Sequence, residues 1–141
     1  AMRERGSIER PVLAEVATMC REKYGAGYFV EVGLDKPRPL VITGIRSLGE
    51  MKALKQADGI MVYIDAPIEE RYRRIIGRAR DAEAHVSLEE FRQREEREMY
   101  GGDSDVDFNI REIGKQADVK IVNDGTFEEF RGRVIDALSQ T

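Results

Sequence analysis

The alternation of apolar runs and amphipathic stretches predicts a chain of strands and helices. Leu40–Thr43 and Gly59–Asp65 have the apolar composition of buried parallel strands, and Val119–Val122 predicts a third. A helical pattern follows each of these runs. Because parallel neighbours require a crossover connection, three such units predict an α/β fold with a parallel sheet.

Helix starts are marked by a Ser or Thr followed three residues later by Glu, which is the capping-box pattern. It occurs at Ser47 with Glu50, Ser87 with Glu90, and Thr126 with Glu129. An earlier helix ends at Gly25. In the first helix, the residues predicted to face the protein core are Ile8, Val12, Leu13, Val16, Met19 and Cys20. In the later helices, the residues predicted to face the core are Leu48, Met51, Leu54, Ile68, Tyr72, Ile75, Ile76, Phe127, Phe130, Val134 and Leu138.

The stretch 79–105 differs from the rest, because it is crowded with charge and poor in apolar residues. It predicts a solvated helix on a protruding segment. The chain of 141 residues otherwise fits one domain, 1–141.

Composition excludes several classes of function. The net charge is −4 and the pI about 5.2, which argues against a nucleic-acid-binding domain. Apolar runs stay well below the roughly 20 residues of a membrane helix, so no membrane partner is expected. A single cysteine cannot form an internal disulfide, so the expected location is cytoplasmic. No histidine or cysteine pair has metal-ligand spacing, and no metal residues are predicted.

Ligands of parallel sheets bind at the carboxyl ends of the strands, where arginines are concentrated. Arg71, Arg74 and Arg78 share one helix face and could clamp phosphates, or else form a solvated face paired with nearby acids. Arg46 precedes a helix start, either as an anion ligand or as a surface turn residue. The turn Asn123–Gly125 could read a base edge with its backbone, or serve only to lead into the next helix.

Taken together, these motifs resemble the P-loop nucleoside monophosphate kinases, in their dephospho-CoA-kinase-like and adenylate-kinase-related branch. The segments that carry the resemblance are Leu40–Pro67, Arg74–Arg78 and Ile121–Phe130. The resemblance implies a three-layer parallel sheet with a helical lid at 79–105. It also implies that Arg46 contacts the acceptor phosphate, that Arg74, Arg78 and Arg80 cover the donor nucleotide, and that Asn123, Asp124 and Gly125 border the adenine ring.

Two departures from that family pattern bear on activity. The phosphate loop Gly-x-x-x-x-Gly-Lys-Ser/Thr is absent, and Thr43 stands where relatives often carry the Asp that helps organise Mg²⁺. The ATP and Mg²⁺ of intact relatives are therefore not expected to bind this chain tightly, and no kinase turnover is expected. The resemblance also implies that a first strand is missing between Leu40–Thr43 and Gly59–Asp65, which leaves exposed strand edges.

Three hypotheses follow. The chain is the C-terminal part of a nucleotide or dephospho-CoA-type kinase, with Ala1 before Met2 as a cloning remnant or a deliberate cut. Alternatively, it is a non-catalytic homologue that binds a nucleotide-type small molecule or a protein, self-association through the strand edges included. The third hypothesis is a plain α/β interaction module whose arginines are only solvated.

Overall fold

The computed structural model describes residues 10–78 and 86–140, and within them the chain is an α/β protein. Its elements, in chain order, are α1 (Arg10–Tyr24), α2 (Tyr28–Leu34), α3 (Leu48–Gln56), β1 (Val62–Asp65), α4 (Ile68–Gly77), α5 (Leu88–Met99), α6 (Ile110–Gln116), β2 (Val119–Val122) and α7 (Phe127–Leu138). No helix within these ranges is both long and apolar enough to cross a membrane.

The sheet of the described residues has two parallel strands, with Val62 opposite Val119 and Asp65 opposite Val122. The strand predicted at Val119–Val122 is confirmed, and the one predicted at Gly59–Asp65 begins only at Val62. The strand predicted at Leu40–Thr43 is wrong. Its apolar run suits a strand, but none of the described residues lies beside it to complete a ladder. A three-layer sheet of the kinase type is therefore not confirmed.

All three predicted capping boxes are confirmed, because they depend only on local sequence. The side chains of Ser47, Ser87 and Thr126 each accept a hydrogen bond from the backbone N–H of the Glu three residues later, and each Glu carboxylate accepts one from the backbone N–H of the Ser or Thr. The first helix ends at Gly25, as predicted, in a positive-φ conformation (φ 115°) that favours glycine. These local signals mark where α3, α5 and α7 begin and where α1 ends.

The core lies between α3, β1 and α6. Met51, Met61 and Ile113 are buried together, and Leu48 and Leu54 pack against them as predicted. The inward face predicted for α7 is only partly correct, because Phe127 is exposed while Phe130 and Val134 are half-buried. Phe127 is the first residue of the helix, where no neighbouring element covers it.

The first helix is held by charge rather than by its apolar face. Val12, Leu13, Val16 and Met19 were expected in the core, yet all four are exposed, and Ile8 lies outside the described residues. Arg21 is buried instead. Its guanidinium is 3.2 Å from the buried Glu50 carboxylate (Nη1 to Oε1), Nε donates to the Val106 carbonyl, and the group stacks over the Phe108 ring.

The charged helix α5 packs against α4. The Tyr72 hydroxyl donates to the Val86 carbonyl, and the Tyr72 and Phe91 rings lie 5.7 Å apart with Phe91 buried. The rest of α5 is mostly exposed, as its charge predicts. The other part of the segment predicted to form the lid, residues 79–85, lies outside the described residues.

Candidate functional site at the strand ends

The carboxyl ends of β1 and β2 lie side by side. Because the strands are parallel and in register, Asp65 and Val122 end the sheet together, and the Asn123 N–H donates to the Asp65 carbonyl at 2.7 Å. The chain then turns into α4 through Pro67 and into α7 through Asn123–Gly125. This edge is where parallel sheets bind ligands.

The last turn of α4 carries Arg74, whose side chain reaches this edge. Its Nη1 donates to the Asn123 carbonyl at 2.9 Å, so the structure brings together two residues that the sequence assigned to one site. The carboxylate nearest to Arg74 in the described part of the chain is that of Glu70, 3.8 Å from Nε and beyond hydrogen-bond distance. The same carboxylate lies 2.6 Å from Nη2 of Arg73, whose hydrogen bond is the main reason that the pKa of Glu70 is lowered.

The other two strand-end arginines are matched by acids. Arg133, on α7, donates from Nη1 to the Val122 carbonyl at 2.5 Å and to Asp124 Oδ1 at 2.6 Å, and this pairing lowers the pKa of Asp124. Arg71 Nη1 lies 3.0 Å from Glu95 and 3.8 Å from Asp65. Arg74, by contrast, hydrogen-bonds the Asn123 carbonyl and has no carboxylate within hydrogen-bond distance among the described residues.

Arg71 also has an unusual atom. Its Nε is buried and has no hydrogen-bond acceptor among the described residues, although such groups are normally paired. The neighbouring Tyr63 has a raised pKa, chiefly because burial penalises its charged form and secondarily because Asp65 is near. Partly dry, charged surroundings of this kind strengthen any ionic contact made there.

The remaining predicted residues are more dispersed. Arg78 caps the end of α4, where its Nε donates to the Arg74 carbonyl. Gly125 precedes the cap of α7, and a side chain at that position would meet the Glu129 carboxylate. Arg80 lies outside the described residues.

Arg46 belongs to a different part of the chain. Its backbone N–H donates to Glu50, its carbonyl accepts from Asn109, and its guanidinium lies over the Phe108 ring 5.6 Å from the centroid. Its described contacts are therefore with the start of α3 and with Phe108.

Arg133 was not singled out from the sequence, and Glu70 was expected only as one of the acids that pair with a solvated arginine face. Glu70 has a local signal, since it lies three and four residues before Arg73 and Arg74 on one helix. Arg133 reaches the strand end only because α7 folds back along β2, which a local pattern does not encode. Within the described ranges, no group of three or more His, Cys, Asp and Glu side chains is arranged to hold a metal ion.

Fold and site define an α/β chain with arginines at the ends of two parallel strands. Comparison with known proteins indicates the family. The chain is similar to a UPF0200 protein of Saccharolobus islandicus, with 34% identity over 143 aligned positions. The alignment covers 94% of this chain and 72% of that relative. A UPF0200 protein of Methanosarcina mazei is 32% identical over 88% of this chain. The chain belongs to the UPF0200 family. No family model matches it.

A UPF0200/UPF0201 protein of Archaeoglobus fulgidus is 30% identical over 89% of this chain, which spans only 40% of that relative. The predicted membership in the P-loop nucleoside monophosphate kinases is wrong, because the relatives carry the UPF0200 name and none indicates a kinase or P-loop family. Strand and helix motifs of this kind are common to many α/β folds, so the resemblance to the kinases does not identify the family. Phosphoryl transfer followed only from that membership and stays an untested prediction.

Proposed function

We propose that this chain binds a nucleotide-type phosphorylated ligand at the ends of β1 and β2. The observation that carries the proposal is the pairing of Arg74. Its guanidinium is held by a neutral carbonyl 2.9 Å away and has no carboxylate within hydrogen-bond distance among the described residues. An anion would make the direct charge-assisted hydrogen bonds that Glu70, at 3.8 Å, does not make.

Arg74 is also well prepared for such a ligand. A guanidinium has five N–H donors, and the hydrogen bond to Asn123 uses one of them while fixing the plane of the group. The side chain is 32% exposed, so a ligand can reach it. Phosphate oxygens are suited to the paired donors of arginine.

The nucleotide part of the ligand is assigned to the neighbouring turn. The backbone of Asn123–Gly125 begins at the Arg74 contact and runs across the sheet edge to the cap of α7. A base beside this turn and a phosphate on Arg74 would lie at adjacent positions.

The test is titration of the 141-residue chain with ADP, AMP, pyrophosphate and adenosine, followed by calorimetry and thermal shift. We expect ADP to bind more tightly than pyrophosphate and adenosine to bind weakly. Arg74→Met should weaken ADP binding about 10- to 150-fold, which corresponds to a lost charge-assisted hydrogen bond of about 1.5–3 kcal/mol.

Arg111→Met is the matched control, since Arg111 is an exposed arginine on α6 that pairs with Glu96 of α5 and not with an acid beside Arg74. It should leave ADP binding unchanged. Equal weakening by the two variants, or no binding of any phosphorylated ligand, would refute the proposal. Such a result would favour arginines that form only a solvated face.

A further inference from the structure

An apolar slot lies beside β1, between residues 40–45 and residues 59–64. Its volume of about 630 Å³ is in the range of small-molecule sites, roughly 300–1,000 Å³. Its lining is mostly aliphatic, and the side chains that form it include Leu40, Ile42, Val62 and Ile110. A cavity of this size and lining is suited to the apolar part of a small molecule.

The slot extends from the surface to the hydrophobic core. Met61 and Ile113 line it and also belong to the buried core cluster, where they are 5% and 3% exposed. Val41, Ile60 and Ile64 line it as well, but they are 86%, 49% and 52% exposed. An apolar chain in the slot would remove this surface from water, which is favourable in proportion to the area covered.

Two charged side chains belong to the described lining, those of Arg38 and Asp58. Both residues are exposed, and neither forms an ion pair within the described ranges. An arginine lays its aliphatic stem along apolar surface and keeps its charge at the water boundary. Arg38 therefore places an unmatched guanidinium at the edge of an apolar cavity.

The two charges differ in what they offer a ligand. The guanidinium of Arg38 ends a long, flexible side chain, and its paired donors match the two oxygens of a carboxylate. Asp58 has a short side chain, and its backbone is held in the turn after α3 with a positive φ of 57°. Arg38 is thus the group that can follow a ligand across the mouth of the slot, and its charge selects an anion.

We propose that the slot binds a long-chain carboxylate, with the hydrocarbon chain along Met61 and Ile113 and the head group on Arg38. This ligand fits both features, because its chain covers the apolar lining while its carboxylate pairs with the guanidinium. The site is separate from the anion site at the strand ends, since neither Arg74 nor Asn123 is among the lining residues.

The test is calorimetric titration of the 141-residue chain with dodecanoate, dodecanol, dodecylamine and hexanoate, each below its critical micelle concentration. We expect dodecanoate to bind most tightly. Dodecanol should bind at least about tenfold more weakly, since it lacks the charge that pairs with Arg38, and dodecylamine should bind no better than dodecanol. Each methylene group removed from the carboxylate should weaken binding about fourfold, so hexanoate should bind very weakly.

The role of the head group is tested with Arg38→Met, which keeps an apolar side chain and removes the charge. It should weaken dodecanoate binding at least about tenfold and leave dodecanol binding unchanged. Arg131→Met is the matched control, since Arg131 is an exposed arginine on α7 outside the slot lining. It should leave dodecanoate binding unchanged.

The methionine methyl groups locate the bound ligand by nuclear magnetic resonance. In a chain labelled with ¹³C-methyl methionine, saturating dodecanoate should shift the Met61 resonance, because Met61 lines the slot. Met19 and Met99 lie outside that lining, so their resonances should stay unchanged.

Three outcomes would overturn the proposal. One is that dodecanol or dodecylamine binds as tightly as dodecanoate, because Arg38 would then not select the ligand. Another is that Arg38→Met weakens dodecanoate binding no more than Arg131→Met does. The third is that dodecanoate does not bind, or that it shifts Met19 and leaves Met61 unchanged.

Discussion

The buried ion pair between Arg21 and Glu50 allows a quantitative prediction. Both residues are only 3% exposed, and removing one partner of such a pair costs about 3–5 kcal/mol because the other charge is left uncompensated. Glu50 Oε2 also accepts from the N–H groups of Arg46 and Ser47, at 2.9 and 3.3 Å. These bonds soften the loss, so we expect Arg21→Met to destabilise the chain by about 3 kcal/mol, at the lower end of that range.

The assay is urea unfolding followed by circular dichroism, with the free energy obtained by linear extrapolation. The expected loss corresponds to a fall in Tm of roughly 10 °C. Glu50→Gln alone should be destabilising too, since Arg21 is then unpaired. Arg21→Met with Glu50→Gln should cost less than the sum of the single variants, because the double variant leaves no buried charge uncompensated.

Lys52→Met is the control for this prediction. Lys52 lies on the same helix as Glu50 and pairs with Asp105 at 2.7 Å, but both side chains are well exposed. Its loss should cost at most about 1 kcal/mol. The reasoning is refuted if Arg21→Met lowers the free energy of unfolding by no more than Lys52→Met does. It is also refuted if the losses caused by Arg21→Met and Glu50→Gln simply add in the double variant.

Two further predictions concern packing and pH. Gly49→Ala should lower the free energy of unfolding in urea by about 1–3 kcal/mol, because the added methyl group would lie 2.2 Å from the Ala26 Cβ. Gly132→Ala in α7 is the control: its methyl group meets nothing within 4 Å, so it should raise the free energy of unfolding by up to about 1 kcal/mol. The reverse order of stability would contradict this prediction. Asp118 has a pKa below its ordinary value, first because the Met61 N–H donates to it. The ionised Asp118 carboxylate therefore stabilises the fold fully above its ordinary pKa near 3.8, and this stabilisation is lost as the pH falls through the lower pKa of the folded chain. The difference in unfolding free energy between the wild-type chain and Asp118→Asn should shrink in acid. A difference that does not change with pH would contradict the prediction.

The success of sequence-based prediction varied with the range of the interactions involved. The capping boxes at Ser47, Ser87 and Thr126 were correct because a capping box needs only two residues three positions apart. The strand expected at Leu40–Thr43 failed because a strand exists only beside a partner, and an apolar run does not state whether one is present. The helix α6 was missed, although Asn109 and Glu112 form a cap at its start.

The site shows the same division. Arg71, Arg74 and Arg78 share a helix face by simple periodicity, and the structure brings Arg74 to the Asn123 carbonyl. Arg46 was assigned to the same ligand by resemblance, yet its described contacts are around Phe108. Which arginines have a close acidic partner depends on where the acids of other elements lie. Asp124 lies 2.6 Å from Arg133, and Glu95 lies 3.0 Å from Arg71.

The parallel pairing of β1 with β2 has a consequence for how the chain folds. The pairing joins Val62 to Val119, so a long loop that includes α4, α5 and α6 must close before the first ladder bond forms. Loop closure costs entropy that a distant contact repays only once it is made, and chains rich in such contacts fold slowly. The capped helices need no distant partner, so they are expected to form first and the sheet late. Until the sheet forms, the unpaired backbone groups of β1 and β2 can pair with other chains, so aggregation is expected chiefly at this stage of folding.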